Sequence, residues 1–196
     1  MHLITALTIP FLLLTTCTPL TLANYTTTRN ATAVLNDLIK LTTDLTTLAH
    51  SITAYTGGLT AALDIQHKET IVEHDLDRTT RDTHAATPFT ADESTTTTRA
   101  ALGLEPDILT SIETLVRKVR FHPGDTYIQE ANEQKPLVDQ IGIGFIVKMD
   151  LVNLKSKTDI LSQALQEKAT EGDRETLAEK TKELDMGFDI AILAYS

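Results

Sequence analysis

Val34, Leu38, Leu41, Leu45, Leu48, Ile52 and Tyr55 recur at alternating steps of four and three residues. Such spacing puts seven apolar side chains on one stripe of an α-helix and on neither face of a strand. A helix of this kind is stable only when its stripe is buried against others. Gly57-Gly58 follows at once, the residue type preferred where a helix stops.

Similar stripes fill the rest of the chain. Leu59, Ala62, Leu63, Ile65, Val72 and Leu76 predict a less regular helix to about Arg81. The stretch from His84 to Arg99 contains Pro88 and the run Thr95 to Thr98, and reads as a loop open to glycosylation. Pro106, suited to a first helical position, opens a helix with Ile108, Ile112, Leu115 and Val119 inward. Arg117, Lys118 and Arg120 close it as cations complementing the helix dipole, before Pro123-Gly124. A long helix is predicted from about Pro136 to Lys168, with Val147, Leu151, Leu154, Thr158, Leu161 and Leu165 on its stripe. After a turn at Glu171-Gly172, a last helix from near Asp173 carries Leu177, Thr181, Leu184, Phe188, Ala191 and Tyr195. Short turns and the lack of strand-like alternation give an all-α fold, an up-and-down bundle of about five amphipathic helices. Its expected core includes Leu38, Leu45, Ile52, Ile112, Leu115, Ile141, Phe145, Leu154, Leu161, Leu184 and Phe188.

The first 23 residues differ in kind. They carry no Lys, Arg, Asp or Glu, and the apolar stretch from Leu3 to Leu14 is too short to anchor in a bilayer. With small residues at Thr21 and Ala23, this reads as a secretory signal peptide cleaved after Ala23, giving a mature chain of one domain, 24–196, that starts at Asn24. Cleavage removes Cys17, the chain's one cysteine, so core packing alone must hold the secreted domain. Two glycosylation sequons follow, at Asn24 and Asn30; Asn24, as the new N-terminus, is the poorer acceptor. Of 34 Thr, 27 lie in the first 100 residues, as suits an extracellular chain with O-linked sugar. The ending Ala194-Tyr195-Ser196, without spacer and apolar tail, argues against a C-terminal lipid anchor.

The composition also excludes partners. A net charge of −10 is unsuited to nucleic acid or to an electrostatic grip on anionic lipid. The chain shows no nucleophile elbow and no phosphate loop, so no catalytic residue and no cofactor is assigned. His67 and His74 are two turns apart, about 10 Å, too far for one metal ion, and read as a solvated face.

Ile141 to Val147 is apolar on all sides and holds Gly142 and Gly144, each costing roughly 1 kcal/mol of helix stability relative to Ala. Two explanations stand: close approach of helices, or missing side-chain volume that leaves a tunnel for an acyl chain. In the second, Leu115, Ile141, Gly144, Phe145, Leu161, Leu184 and Phe188 supply walls, and a carboxylate head group lies near Thr158 or Thr181, or at the mouth where water can reach it. The bland role for such Thr is a bond back to a preceding carbonyl.

The order of these features resembles the fungal hydrophobic-surface-binding protein A family, which includes the cell-wall galactomannoproteins. The likeness rests on the first helix ending Ala54-Tyr55-Thr56-Gly57-Gly58, the Thr-rich stretch after it, and the block from Leu109 to Phe121 with Leu115, Val116, Lys118 and Phe121 at its heart. A long Leu-periodic helix and a short last helix complete it, over roughly residues 30–195. The resemblance implies a non-enzymatic, secreted or wall-associated helical domain that binds hydrophobic surfaces, lipid or fatty acid. It also implies a secreted polyester hydrolase or cell-wall glycans as further partners. The alternatives are a structural wall mannoprotein or antigen without a specific ligand, and a secreted effector that binds a host protein.

Overall fold

The computed structural model describes residues 30–120 and 144–196, the last two of the first span by backbone alone. Ala23, Asn24, Ile141 and Gly142 lie outside the described residues.

The leucine stripe forms α1 (Ala31–Ala54), and Val34, Leu38 and Leu41 have no solvent exposure at all. Asn30 caps it: the carboxamide oxygen accepts the Ala33 N–H at 3.0 Å, and the amide nitrogen a glycan would use takes no part in that bond. Thr42, Thr43, Thr46 and Thr47 each donate their hydroxyl to the carbonyl four residues back. A Thr-rich helix thus satisfies its hydroxyls internally. Gly57 and Gly58 turn the chain at φ of 117° and 94°, a region costly for other residues. Beyond them α2 (Leu59–Ala85) runs a turn further than its apolar pattern predicts.

The stretch expected to be a loop contains a sixth helix, α3 (Ala91–Leu102). Its start is a capping box: the Thr90 hydroxyl accepts the Glu93 N–H, and the Glu93 carboxylate accepts the Thr90 N–H at 2.9 Å. The four-Thr run splits by phase, with Thr97 and Thr98 buried and Thr95 and Thr96 exposed. A helix whose buried face is Ser94, Thr97 and Thr98 carries no apolar stripe, so periodicity does not report it.

Next come α4 (Glu105–Arg120), α5 (Gly144–Lys168) and α6 (Glu171–Ala194). The expected turn at Glu171-Gly172 is the first turn of α6, and the chain reverses at Ala169-Thr170 instead. The start of α6 is held by α3: Ser94 donates to the Asp173 carboxylate at 2.6 Å and accepts the Thr170 N–H at 2.9 Å.

Neighbour relations close into a ring. In turn, α1 packs on α2, α2 on α5, α5 on α6, α6 on α4, and α4 back on α1, while α3 braces α1 and α6. The ends of α1, α4 and α6 and the starts of α2 and α5 therefore gather at one end of the bundle. The opposite end is closed by α3 and its bonds to the α5–α6 turn. Inside the ring lie Leu38, Leu45, Ile52, Ile112, Leu161 and Phe188, all buried, with Leu115, Leu154 and Leu184 partly buried against them.

Phe145 does not join that core; it is 69% exposed. It stands two residues before Val147, and residues two apart on a helix do not share a face. The glycine that allows close packing is Gly187. An added Cβ there would lie 3.2 Å from Leu109 Cδ2 and 3.6 Å from Ile112 Cδ1, so α6 and α4 meet closely at this point.

The α1–α2 seam is polar. Asp75, 1% exposed, pairs with Lys40 at 2.5 Å and with Arg78 at 3.2 Å, and Arg78 Nε also donates to Asp37 at 2.9 Å. Burial alone would raise the Asp75 carboxyl, but hydrogen bonds with Asp44 and Lys40 and the Arg78 charge hold it below its ordinary value.

Candidate ligand-binding site

Where the five helix ends gather, the described residues leave the ring unfilled. A cavity of about 180 Å³ lies there, walled by Leu48 and Ile52 of α1, Ala62 and Ile65 of α2, Leu115 of α4, and Val147, Leu151 and Leu154 of α5. Leu59, Leu63 and Ile146 stand half-exposed at its rim. A second space of about 70 Å³ continues along the bundle axis, sharing Leu48, Ile52, Leu115, Leu151 and Leu154 with the first. Leu161, Phe188 and Thr158 are among its deeper walls. These two adjoining spaces, which share those five walls, are together called the slot; they lie in line from the rim toward the core.

Polar groups enter this slot at few places. Tyr55 and Tyr195, just past the ends of α1 and α6, both reach it. Burial raises both phenols, so they stay protonated; Tyr195 donates to the Leu115 carbonyl at 3.3 Å. Lys118 of α4 donates to the Tyr55 carbonyl at 2.5 Å and stands 5.8 Å from the centre of the Tyr55 ring. Burial and the Arg117 charge lower its ammonium from the usual value. Facing these from α2 and α5 are Glu69, 8% exposed, and Asp150. Burial, with a hydrogen bond to Glu73 and the charge of Asp150, pushes Glu69 up to about 8. Asp150 is raised by burial and by Glu73. Glu69 Oε1 is buried without a hydrogen-bond partner among the described residues.

The residues expected to form a cavity are partly here. Leu115 walls both spaces, and Leu161, Phe188 and Thr158 wall the deeper one. Gly144 is the first residue of α5, one turn before Val147, and does not line either space. Leu184 packs against the core from α6 without reaching the slot. Thr181 bonds instead to the Leu177 carbonyl and to Ser162, so it offers nothing to a ligand in the slot. The expected enclosure was by the three later helices alone; α1 and α2 supply much of the wall. Periodicity pointed to these stripes as core without showing that the core stops short of the helix ends. Among the described residues no group of three or more His, Cys, Asp or Glu is placed to hold a metal ion, and no helix is long and apolar enough to cross a membrane.

The family model for hydrophobic surface binding protein A matches residues 31–121, which run from α1 through α4. The solved structure of AfMP4p in complex with palmitic acid extends the likeness: it is 40% identical, with a TM-score of 0.74, over 85% of this chain and 99% of that one. The chain belongs to the hydrophobic surface binding protein A family. Ligand-binding domains 1 and 2 of the Penicillium marneffei MP1 protein, both solved with arachidonic acids, share the fold. Their TM-scores are 0.69 and 0.66, at 17% and 16% identity, over 82% and 84% of this chain and 95% and 93% of theirs. A comparison with characterised protein sequences finds no significant match. The family match takes in α1, α2 and α4, which supply much of the slot's wall.

Proposed function

We propose that this member of the family is a secreted, non-enzymatic binding protein that takes a long-chain fatty acid into the slot between α1, α2, α4 and α5. The single observation carrying the reading is the pair of adjoining apolar spaces, which share five wall residues between the rim and the core. The 40% identical AfMP4p, solved with palmitic acid, supports it. Each buried methylene contributes about 0.8 kcal/mol, and lost ligand freedom offsets several kcal/mol of the sum, so micromolar-range affinity is expected. The slot is smaller than the roughly 300 Å³ of most ligand pockets. The half-exposed rim residues are therefore expected to spread as the chain enters.

Secretion rests on the leader ending at Ala23, and wall association on the family, with Asn30 as the glycan acceptor. A second reading, adsorption to an apolar surface, is favoured by one observation. Met149 and Val152 on α5 and Met186, Ile190 and Leu193 on α6 are large apolar side chains about half or more exposed.

Purified chain is tested by native mass spectrometry for copurified fatty acid and by displacement of a fluorescent fatty acid. Leu154→Trp, which fills the space where the two cavities join, should abolish displacement with far-UV helicity unchanged. Equal binding by this variant would place the ligand outside the slot and leave surface adsorption as the function.

A further inference from the structure

A carboxylate cannot enter an apolar slot without a partner, since an unpaired buried charge is far too costly. The Thr hydroxyls expected for this role do not serve it. Thr181 is outside the slot, and Thr158 lies in the deeper space, where an acid could arrive only head first. The rim holds a better group. Lys118 is half-buried, lines the larger space, and is the one Lys or Arg among the described residues that does so.

Its surroundings make it available. Among the described residues no carboxylate lies within ion-pair distance of its Nζ, although Lys40, Lys68, Lys155, Lys157 and Lys180 all have such partners. The Tyr55 carbonyl takes one of three N–H donors, and the Tyr55 ring lies within cation–π range. Two donors remain. Of the acidic groups on the facing wall, burial pushes Glu69 up to about 8, so near neutral pH it competes weakly for the cation and repels an incoming carboxylate weakly; Asp150 is raised by burial and by Glu73, and neither lies within ion-pair distance of Lys118. Gln66, also on the wall, carries no charge.

We propose that Lys118 is the counter-ion of the bound ligand, so that the slot selects free long-chain acids over their esters and alcohols. The inference rests on the fatty-acid reading above. The head group sits at the rim between Tyr55 and Lys118, and the acyl chain points inward past Leu115 and Leu151 toward Phe188. Charge-assisted bonds to an ammonium are among the stronger hydrogen bonds, and a partly desolvated site screens them little.

The test compares palmitic acid with the alcohol and the methyl ester of the same chain length, in displacement of a neutral fluorescent lipid by wild type, Lys118→Met, Lys118→Gln and Lys118→Arg. Lys118→Met should weaken the acid by roughly tenfold to a hundredfold while leaving the alcohol and ester unchanged. Lys118→Arg should retain most of the preference for the acid. The uncharged ligands act as the folding control, and Lys118→Gln, which keeps a donor for the Tyr55 carbonyl, gives the ratio if the Met variant loses its fold. An acid-to-alcohol ratio equal to that of wild type in the Met or Gln variant overturns the counter-ion alone. Wild type that binds none of the three overturns the fatty-acid reading and the counter-ion with it.

Discussion

Glu69 occupies the fourth step of a stripe otherwise made of Leu59, Ala62, Ile65, Val72 and Leu76. A carboxylate at such a position has to be solvated, paired or neutral, and this one is buried and pushed up to about 8. Its folded value lies above its unfolded value of 4.5, so the native state holds a proton that the unfolded chain has released. Between those values the term works against folding as pH rises, and above about 8 it is constant. Glu69→Gln is isosteric and never ionises. It is expected to raise the unfolding free energy from urea titration near pH 8 by an amount on the order of 2 kcal/mol and to change it little near pH 5. A variant that gains equally at both pH values would show that Glu69 is already solvated in the folded protein. Asp150 sits in the same way between Val147 and Leu154, and Lys118 three residues after Leu115. The polar groups of the slot were thus legible as charges interrupting apolar stripes. Their burial is not legible there, because a stripe fixes which way a residue faces, not how much protein stands in front of it.

At the scale of elements, most of the bundle could be read from periodicity because each long helix buries one continuous face. The exceptions have distinct causes. α3 is held by a capping box and by hydroxyl contacts from Ser94 and Thr97, so its sequence looks like a polar loop. Phe145 is apolar yet out of phase with α5. Gly187 is an isolated glycine toward the end of α6, and only its approach to Leu109 and Ile112 reveals its use. Gly187→Val would push a branched side chain into that contact and is expected to destabilise by about 1–3 kcal/mol through overpacking. Gly187→Ala should be near neutral, since better helix propensity offsets a shift of the Leu109 side chain by a few tenths of an ångström. Chemical denaturation of the pair measures both. A Val variant as stable as the Ala one would mean the two helices can part without loss.

The sequence holds one cysteine, Cys17, so no disulfide can close within it and the ring must be held by packing and by its ion pairs. Packing is uneven along its axis. Leu161 is 4% exposed and borders only the smaller space, whereas Leu115 is less buried and borders both cavities. Leu161→Ala is expected to cost about 2–5 kcal/mol. Leu115→Ala should fall at or below the lower end, because a side chain beside empty space loses fewer contacts. Saturating palmitate should close part of that gap: ligand at a hundred times its dissociation constant stabilises the native state by about 2.7 kcal/mol. Thermal melting with and without ligand checks both. Equal losses for the two variants would mean the slot is filled in solution.

The joint between α2 and α5 ties its two ends by different means. Toward the α3 end, Lys157 grips Asp77 at 2.5 Å; toward the rim, the same two helices present Glu69 and Asp150 to each other, acid to acid. The pair behaves like a clothes-peg, sprung at one end and free to splay at the other. A guest that parts the jaws at the rim need not disturb the grip behind it, and the load of opening falls on a few turns of each helix rather than on the whole ring.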